Sequence, residues 1–378
     1  MRYRKSEKLR FFVATWLVLL VASAAYPQSD QNVPPRPTRD PIHMLVLGDS
    51  ILWGQGLKPE HKSWYLVKMW LEKKTGQKVI ERIEAHSGAV IWGSSVTENP
   101  AVDNREVNMG RPTLQEEVDN ALRSYPDPRL ISLVLVSGCG NDVGVQNLLN
   151  AERTSDVDEM TETKCGKPME DLLERLVRSF PAAQVILTGY YPFFSEKTRN
   201  DFVVNALARR FFKTQQADTH KMTSKEVFER LKINSKQWYE TSNRRLAEAV
   251  RKTNAQVGAE RVMFAKIDFP ADYSFAAPKS HLWGFNRSPF RMMALFLSFG
   301  KVLLPTNDEV RSQRTASCNE VYAAKPNETI EQTKERKAGR LLCRYAALGH
   351  PNRRGALLYT QAITNILSSK FLVATPAP

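Results

Sequence analysis

A chain of 378 residues can form one large domain or two ordinary ones, and 42% hydrophobic with 25% charged residues suits a folded protein with a sizeable core, which excludes a disordered chain. The formal net charge of +14 favours anionic partners. However, Lys and Arg stand beside Glu and Asp in helical segments such as "LVKMWLEKK" and "VFERLKINSK", and no basic run is interleaved with aromatics, so no nucleic-acid partner is expected.

The first 25 residues set Arg2, Arg4, Lys5, Lys8 and Arg10 ahead of an apolar run from Phe11 to Ala25, with Ala22-Ser23-Ala24 near its end. This is the pattern of a secretory signal peptide, and the run falls short of a spanning helix. Its removal leaves the remainder at +10, read as a solvated basic surface able to make peripheral contact with anionic envelope surfaces. Export to the periplasm or the medium is expected. Residues 26–40, "YPQSDQNVPPRPTRD", form a Pro-rich flexible lead-in without periodicity.

From residue 41 the chain reads as a single domain. Five short apolar runs predict buried strands: "IHMLVLG" (42–48), "KVIERIEAH" (78–86), "LISLVLVSG" (130–138), "AAQVILTGYY" (182–191) and "RVMFAKIDF" (261–269). Between and around them, residues 63–76, 112–126, 167–181 and 235–254 carry apolar side chains at three and four spacing and predict helices. Strands alternating with helices imply parallel units and a three-layer α/β/α sandwich. Two stretches interrupt the alternation: a helical insertion near 193–232, and a polar insertion near 305–343 that ends on Cys318 and Cys343.

Cys139, Cys165, Cys318 and Cys343 follow an export signal, which permits disulfides in any of three connectivities. Pairing in sequence order is favoured because each bridge then closes a local loop. The spacings match no zinc pattern, and His43, His61, His86, His220 and His281 show no paired ligand spacing, so neither metal nor cofactor is expected. These histidines read as packing or surface residues, His86 being the one to test for substrate contact.

In an open α/β sheet, ligands bind where the carboxyl ends of the strands converge. Ser50 follows the first strand in "LGDSILWG", Gly88 the second in "AHSGAVIWG", Asn141 the third in "VSGCGNDVG", and His350 precedes the last helix in "ALGHPNRRGALLYTQAI". Acyl transfer by a hydroxyl needs a base and donors aimed at the developing oxyanion. Ser50 as nucleophile, His350 as base, and the Ser50 and Gly88 N–H groups with the Asn141 amide as oxyanion hole would supply them. Glycine at 88 would leave room for the substrate carbonyl. Asp49 and Asp142 read as loop organisers. Tyr190, Tyr191, Trp283 and Phe285 could line an acyl site or belong to the core.

Gly48-Asp49-Ser50, Gly88, Asn141-Asp142 and His350-Pro351-Asn352 resemble the four blocks of the SGNH or GDSL hydrolases, over roughly residues 42–368. "SGCGNDVG", "GYYP", "HLWG" and "GHPNRRGA" resemble a secreted microbial branch with a Gly-Cys-x-Asn-Asp block. The resemblance implies a flavodoxin-like fold with about five parallel strands and a serine esterase or lipase acting on a small-molecule or lipid ester. It also departs from the family twice. Cys139 stands where members usually carry Gly, and Ala347 stands at the place of the catalytic acid, three residues before the His. A Ser-His dyad is therefore expected, with His350 Nδ1–H held by a backbone carbonyl. Two other readings stay open, an acyltransferase on envelope sugars and a non-catalytic carbohydrate- or lipid-binding protein; a monomer is expected.

Overall fold

The computed structural model describes residues 40–93, 105–201, 203–204, 222–298 and 304–371. The expected signal peptide, the lead-in up to residue 39, His220 and much of the 193–232 insertion lie outside them. Five parallel strands, β1 (Ile42–Leu47), β2 (Val79–Ile83), β3 (Ile131–Val136), β4 (Gln184–Thr188) and β5 (Val262–Ala265), make one sheet in the order β2-β1-β3-β4-β5. This is the doubly wound flavodoxin-like order, with its switch point between β1 and β3. All five expected strands form, each shorter than its apolar run. At the end of β2, for example, Glu84 and Ala85 leave the ladder while their N–H groups still donate to the Val46 carbonyl.

In chain order the helices are α1 (Ser50–Trp53), α2 (Ser63–Thr75), α3 (Leu114–Ser124), α4 (Gly140–Val143), α5 (Val145–Leu148), α6 (Val157–Cys165), α7 (Lys167–Ser179), α8 (Ser224–Val257), α9 (Pro289–Leu297), α10 (Arg311–Val321), α11 (Ile330–Arg344) and α12 (Arg353–Ile366). Alternation along the strands divides the core. Leu45, Leu47, Val134, Val136, Val185 and Leu187 face α3, α6, α7 and α8. Met44, Val46, Leu133, Leu135, Ile186 and Met263 face α2 and α12. Because both faces are covered, β1 and β3 read as nearly unbroken apolar runs. Each fully buried Leu or Val there stabilises the fold by roughly 1.5–3 kcal/mol.

Local signals set the helix limits. Thr113 with Glu116, and Thr223 with Glu226, form capping boxes at the starts of α3 and α8. Gly76 stops α2 in the left-handed conformation. Residues 224–232, read from sequence as part of a separate insertion, belong to the opening turns of α8, which runs for 34 residues without a break. The 305–343 segment is a pair of helices, α10 and α11. The first buries Arg314, Ser317 and Cys318 and the second only Cys343, so tertiary bonds hold the pair. Among the described residues no helix is long and apolar enough to cross a membrane.

The bridges are Cys139–Cys165 and Cys318–Cys343, the two sequential pairs. The first joins the start of α4 to the end of α6, closing a loop with a sequence separation of 26. Replacing Cys139 and Cys165 together by Ala is expected to lower stability by about 3 kcal/mol through the larger entropy of the unfolded chain. Urea unfolding with the other bridge intact measures this directly; an unchanged midpoint would contradict it.

Candidate active site

The β1 strand delivers Gly48-Asp49-Ser50 to the sheet edge. Gly48 has φ +127°, and a Cβ there would stand 2.3 Å from the Ser137 carbonyl oxygen, so only glycine lets β1 turn this closely against β3. Asp49 is the N-cap of α1 and accepts from the Ile51 N–H at 3.0 Å, leaving Ser50 as the first helical residue. The same carboxylate accepts from Ser137 Oγ at 2.7 Å and from the Tyr190 hydroxyl at 2.5 Å. Burial raises its pKa against the opposing pull of these bonds. Asp49 thus organises the turn, as expected.

Ser50 Oγ lies 2.7 Å from His350 Nε2, across 300 positions of sequence. His350 keeps part of its surface open to the pocket, but its Nδ1 atom is buried and has no hydrogen-bond partner among the described residues. Among the described residues no carboxylate reaches Nδ1, and no carbonyl makes a hydrogen bond of regular geometry to it, although the Leu348, Ala347 and Ala346 backbone favours the protonated ring. The reason is local: residues 345–350 form a tight run of turns, with Leu348 N–H donating to Tyr345 O and His350 N–H to Ala347 O. Desolvation, aided by the charge of Arg314, lowers the His350 pKa to about 4.

The Asn141 amide donates to the Ala89 carbonyl at 2.9 Å and retains a second N–H. Asp142 accepts from the Ile91 N–H at 3.0 Å, tying α4 to the loop after β2; burial raises its pKa to about 6. Among the described residues no group accepts from the Ser50 or Gly88 N–H. Gly88 needs a different explanation from the one its sequence context suggests. It has φ +90°, and a Cβ would meet Asn108 Oδ1 at 2.1 Å and the Met109 amide nitrogen at 2.6 Å, so the close neighbour is protein and not substrate. Cys139, at the usual Gly position, has φ +96°, the left-handed region that favours glycine, and is held there by its bridge.

Ser50, Asn141, Tyr190, Tyr191 and His350 line one pocket, whereas Gly88, Trp283 and Phe285 are not among its lining residues. Phe285 belongs to the main core, and Trp283 packs with Leu57, Ala347 and Ala356. The rest of the wall is mostly apolar and includes Leu148, Leu149, Phe193, Leu231 and Trp238. His86 is buried and turns its ring nitrogens to the carbonyls of Ser87 and Pro112, so it packs the loop and is not among the lining residues of this pocket. His61 meets Glu309, and His281 stacks on Tyr273.

Sequence reasoning missed three supports. The Tyr190 hydroxyl, besides donating to Asp49, accepts from the Gly140 N–H at 3.0 Å, so it joins the Ser50 turn to the helix of Asn141. Its only signal was a polar aromatic at the end of the fourth apolar run. Glu117 accepts from the Gly48 N–H at 2.7 Å and is pushed well above the usual carboxylate range by burial. Arg314 reaches the site's rear from a segment that reads as merely polar.

No protein-family model matches the chain, and no curated protein matches it in sequence. Among solved structures it is similar to a phospholipase A1 from Streptomyces albidoflavus NA297, at 16% identity over 66% of this chain and 89% of that one, with a TM-score of 0.40. It is also similar to an extracellular lipase from Streptomyces rimosus, at 14% identity over 64% and 87% of the two chains and a TM-score of 0.36. A third likeness is to a lipase from a goat rumen metagenome, at 14% identity over 86% and 96% and a TM-score of 0.38. The functional reading accordingly rests on the geometry of this chain's own residues.

Proposed function

We propose that the protein is an ester hydrolase of the SGNH or GDSL kind that works through an acyl-serine on Ser50. The observation that carries this reading is the 2.7 Å approach of Ser50 Oγ to His350 Nε2 at the mouth of an apolar pocket. In the proposed reaction Ser50 Oγ attacks the ester carbonyl carbon while His350 takes the hydroxyl proton. The Ser50 and Gly88 N–H groups and the free N–H of Asn141 serve as donors to the oxyanion. As the tetrahedral intermediate collapses, the C–O bond to the alcohol breaks and His350 returns the proton to the leaving oxygen. Water, deprotonated by the same ring, then releases the acid. The two disulfides fit an oxidising compartment and support export.

A fluorophosphonate probe is expected to label the wild type at Ser50 and to leave Ser50→Ala unlabelled. Equal labelling of the Ala variant would remove Ser50 from the reaction.

The apolar wall supports the reading that the pocket takes the acyl chain. Each methylene buried there is worth about 0.8 kcal/mol, roughly fourfold in kcat/KM, so a series of p-nitrophenyl acyl esters should rise with chain length until the pocket is full. A series that peaks at acetyl would contradict this.

The neutral ring is the base, and its pKa is lowered from the ordinary 6.5 to about 4. Activity should therefore persist below pH 6 and fall only as pH drops through about 4. The unfolded chain takes up the His350 proton near 6.5, so this group's contribution to stability is full above 6.5 and declines from there to about 4. The profile of kcat/KM should be recorded on protein shown to be folded at each pH. A single limb near 6.5 would contradict the lowered value; a limb near 6 that vanishes in Asp142→Asn would belong to Asp142.

A further inference from the structure

Arg314 is fully buried on α10, and its guanidinium touches three segments. It donates to both oxygens of Asp308, at 2.9 and 2.8 Å, and to Glu106 Oε2 at 3.4 Å. It also reaches Thr306 Oγ1 at 3.4 Å and the Arg344 carbonyl at 3.5 Å. Glu106 in turn accepts from the Trp53 indole at 2.9 Å, the Gln55 amide at 3.0 Å and the Gly56 N–H at 3.2 Å, which is the turn directly after the helix of Ser50. Lys62 flanks Glu106 at 3.9 Å. Arg344 ends α11, the helix that leads into the His350 loop, and the Cys318–Cys343 bridge fastens α10 to α11 beside both arginines.

Behind the base the fit is tight. A Cβ on Gly56 would stand 2.8 Å from the Ala347 methyl, 2.9 Å from Trp283 Nε1 and 3.0 Å from Asp308 Cβ. Trp283 N–H donates to the His350 carbonyl at 2.8 Å, and Gly349 N–H donates to the Trp283 carbonyl at 2.9 Å. The carboxylate adjacent to the family's acid position is thus bound by Arg314, not by the imidazole.

We propose that Arg314 is a positioning residue that clamps the turn behind Ser50 to the loop carrying His350, setting the approach of hydroxyl to imidazole that a third triad member would otherwise set. The inference rests on the reading of Ser50 and His350 as nucleophile and base. With no carboxylate on Nδ1 among the described residues, the ring's placement depends on the backbone beneath it. A planar guanidinium with five fixed donors can hold Asp308 through both oxygens while reaching a second carboxylate and a carbonyl, a rigid bidentate geometry that a lysine does not supply.

Two variants test the clamp. Arg314→Met with Asp308→Leu removes the ion pair as a unit, a change that buried pairs often tolerate. Glu106→Gln keeps the shape but weakens the link to the Ser50 turn. Both are expected to fold by circular dichroism and thermal melting, with KM for a p-nitrophenyl ester within about twofold of wild type. Misplacement of a reacting group by about 1 Å costs up to ~100-fold, so kcat should fall about ten- to a hundredfold in the double variant and less in Glu106→Gln, with fluorophosphonate labelling of Ser50 slowed in parallel. Folded variants with wild-type kcat, or with a change in KM alone, overturn the proposal. If the double variant does not fold, Glu106→Gln decides; failure of both to fold assigns the cluster to stability and also overturns it. Ser50→Ala measured alongside separates the two readings. Full turnover in Ser50→Ala would sink the nucleophile assignment, whereas an inactive Ser50→Ala beside a wild-type double variant would sink the clamp alone.

Discussion

One buried carboxylate sets how the working edge of the sheet is assembled. The donors to Asp49 come from the turn after β1, from Ser137 at the end of β3 and from Tyr190 at the end of β4. Taking a carboxylate out of water is costly, and the raised pKa of Asp49 records that cost; the three bonds offset it and are made together only when the three strand ends meet in register. Tyr190 passes the constraint to Gly140, so the nucleophile turn and the helix of Asn141 are fixed to one another through protein alone. Glu117 does the same one residue earlier, holding the Gly48 N–H.

The opposite side of the site is built on other principles. Among the described residues His350 has no carboxylate behind it, and Arg314 further disfavours its charged form. On the proposed reading such a ring is a weak proton acceptor but a strong donor. Proton removal from Ser50 is then the harder half of the exchange, and protonation of the departing alcohol the easier one.

The fold was legible because parallel strands buried on both faces are continuous apolar runs. β1 and β3 could be read almost to their ends for that reason, and Gly76 marks the end of the helical run 63–76 by chemistry that acts within a residue. Ser50 and Asn141 at strand ends, and His350 ahead of the last helix, form short blocks of the kind local sequence can encode. What could not be read depends on contacts made only in three dimensions. Gly88 shows this: its φ and its neighbour Asn108 explain it, and neither is visible along the chain. The same holds for Glu117, a glutamate on an ordinary amphipathic helix until Gly48 is found against it. The helices α10 and α11 lack a broad apolar stripe because a disulfide and a buried guanidinium hold them, so the periodicity that marks other helices is weak.

The length of α8 carries a consequence for how this pocket can change. Leu231, Ser235 and Trp238 line the cavity, and Ser235 Oγ both accepts from and donates to the Phe194 backbone, at 2.8 and 3.0 Å. Further along the same rod, Asn243 brackets the Tyr190 backbone, and Leu246 and Val250 lie in the core. One continuous helix therefore holds the cavity wall and the sheet's support together, and Asn234 on the same helix donates to the Leu148 and Asn150 carbonyls, at 3.2 and 2.9 Å, so the Val145–Leu148 turn is tied to it as well. Enlarging the cavity by moving α8 would break these bonds and demand repacking of the interior.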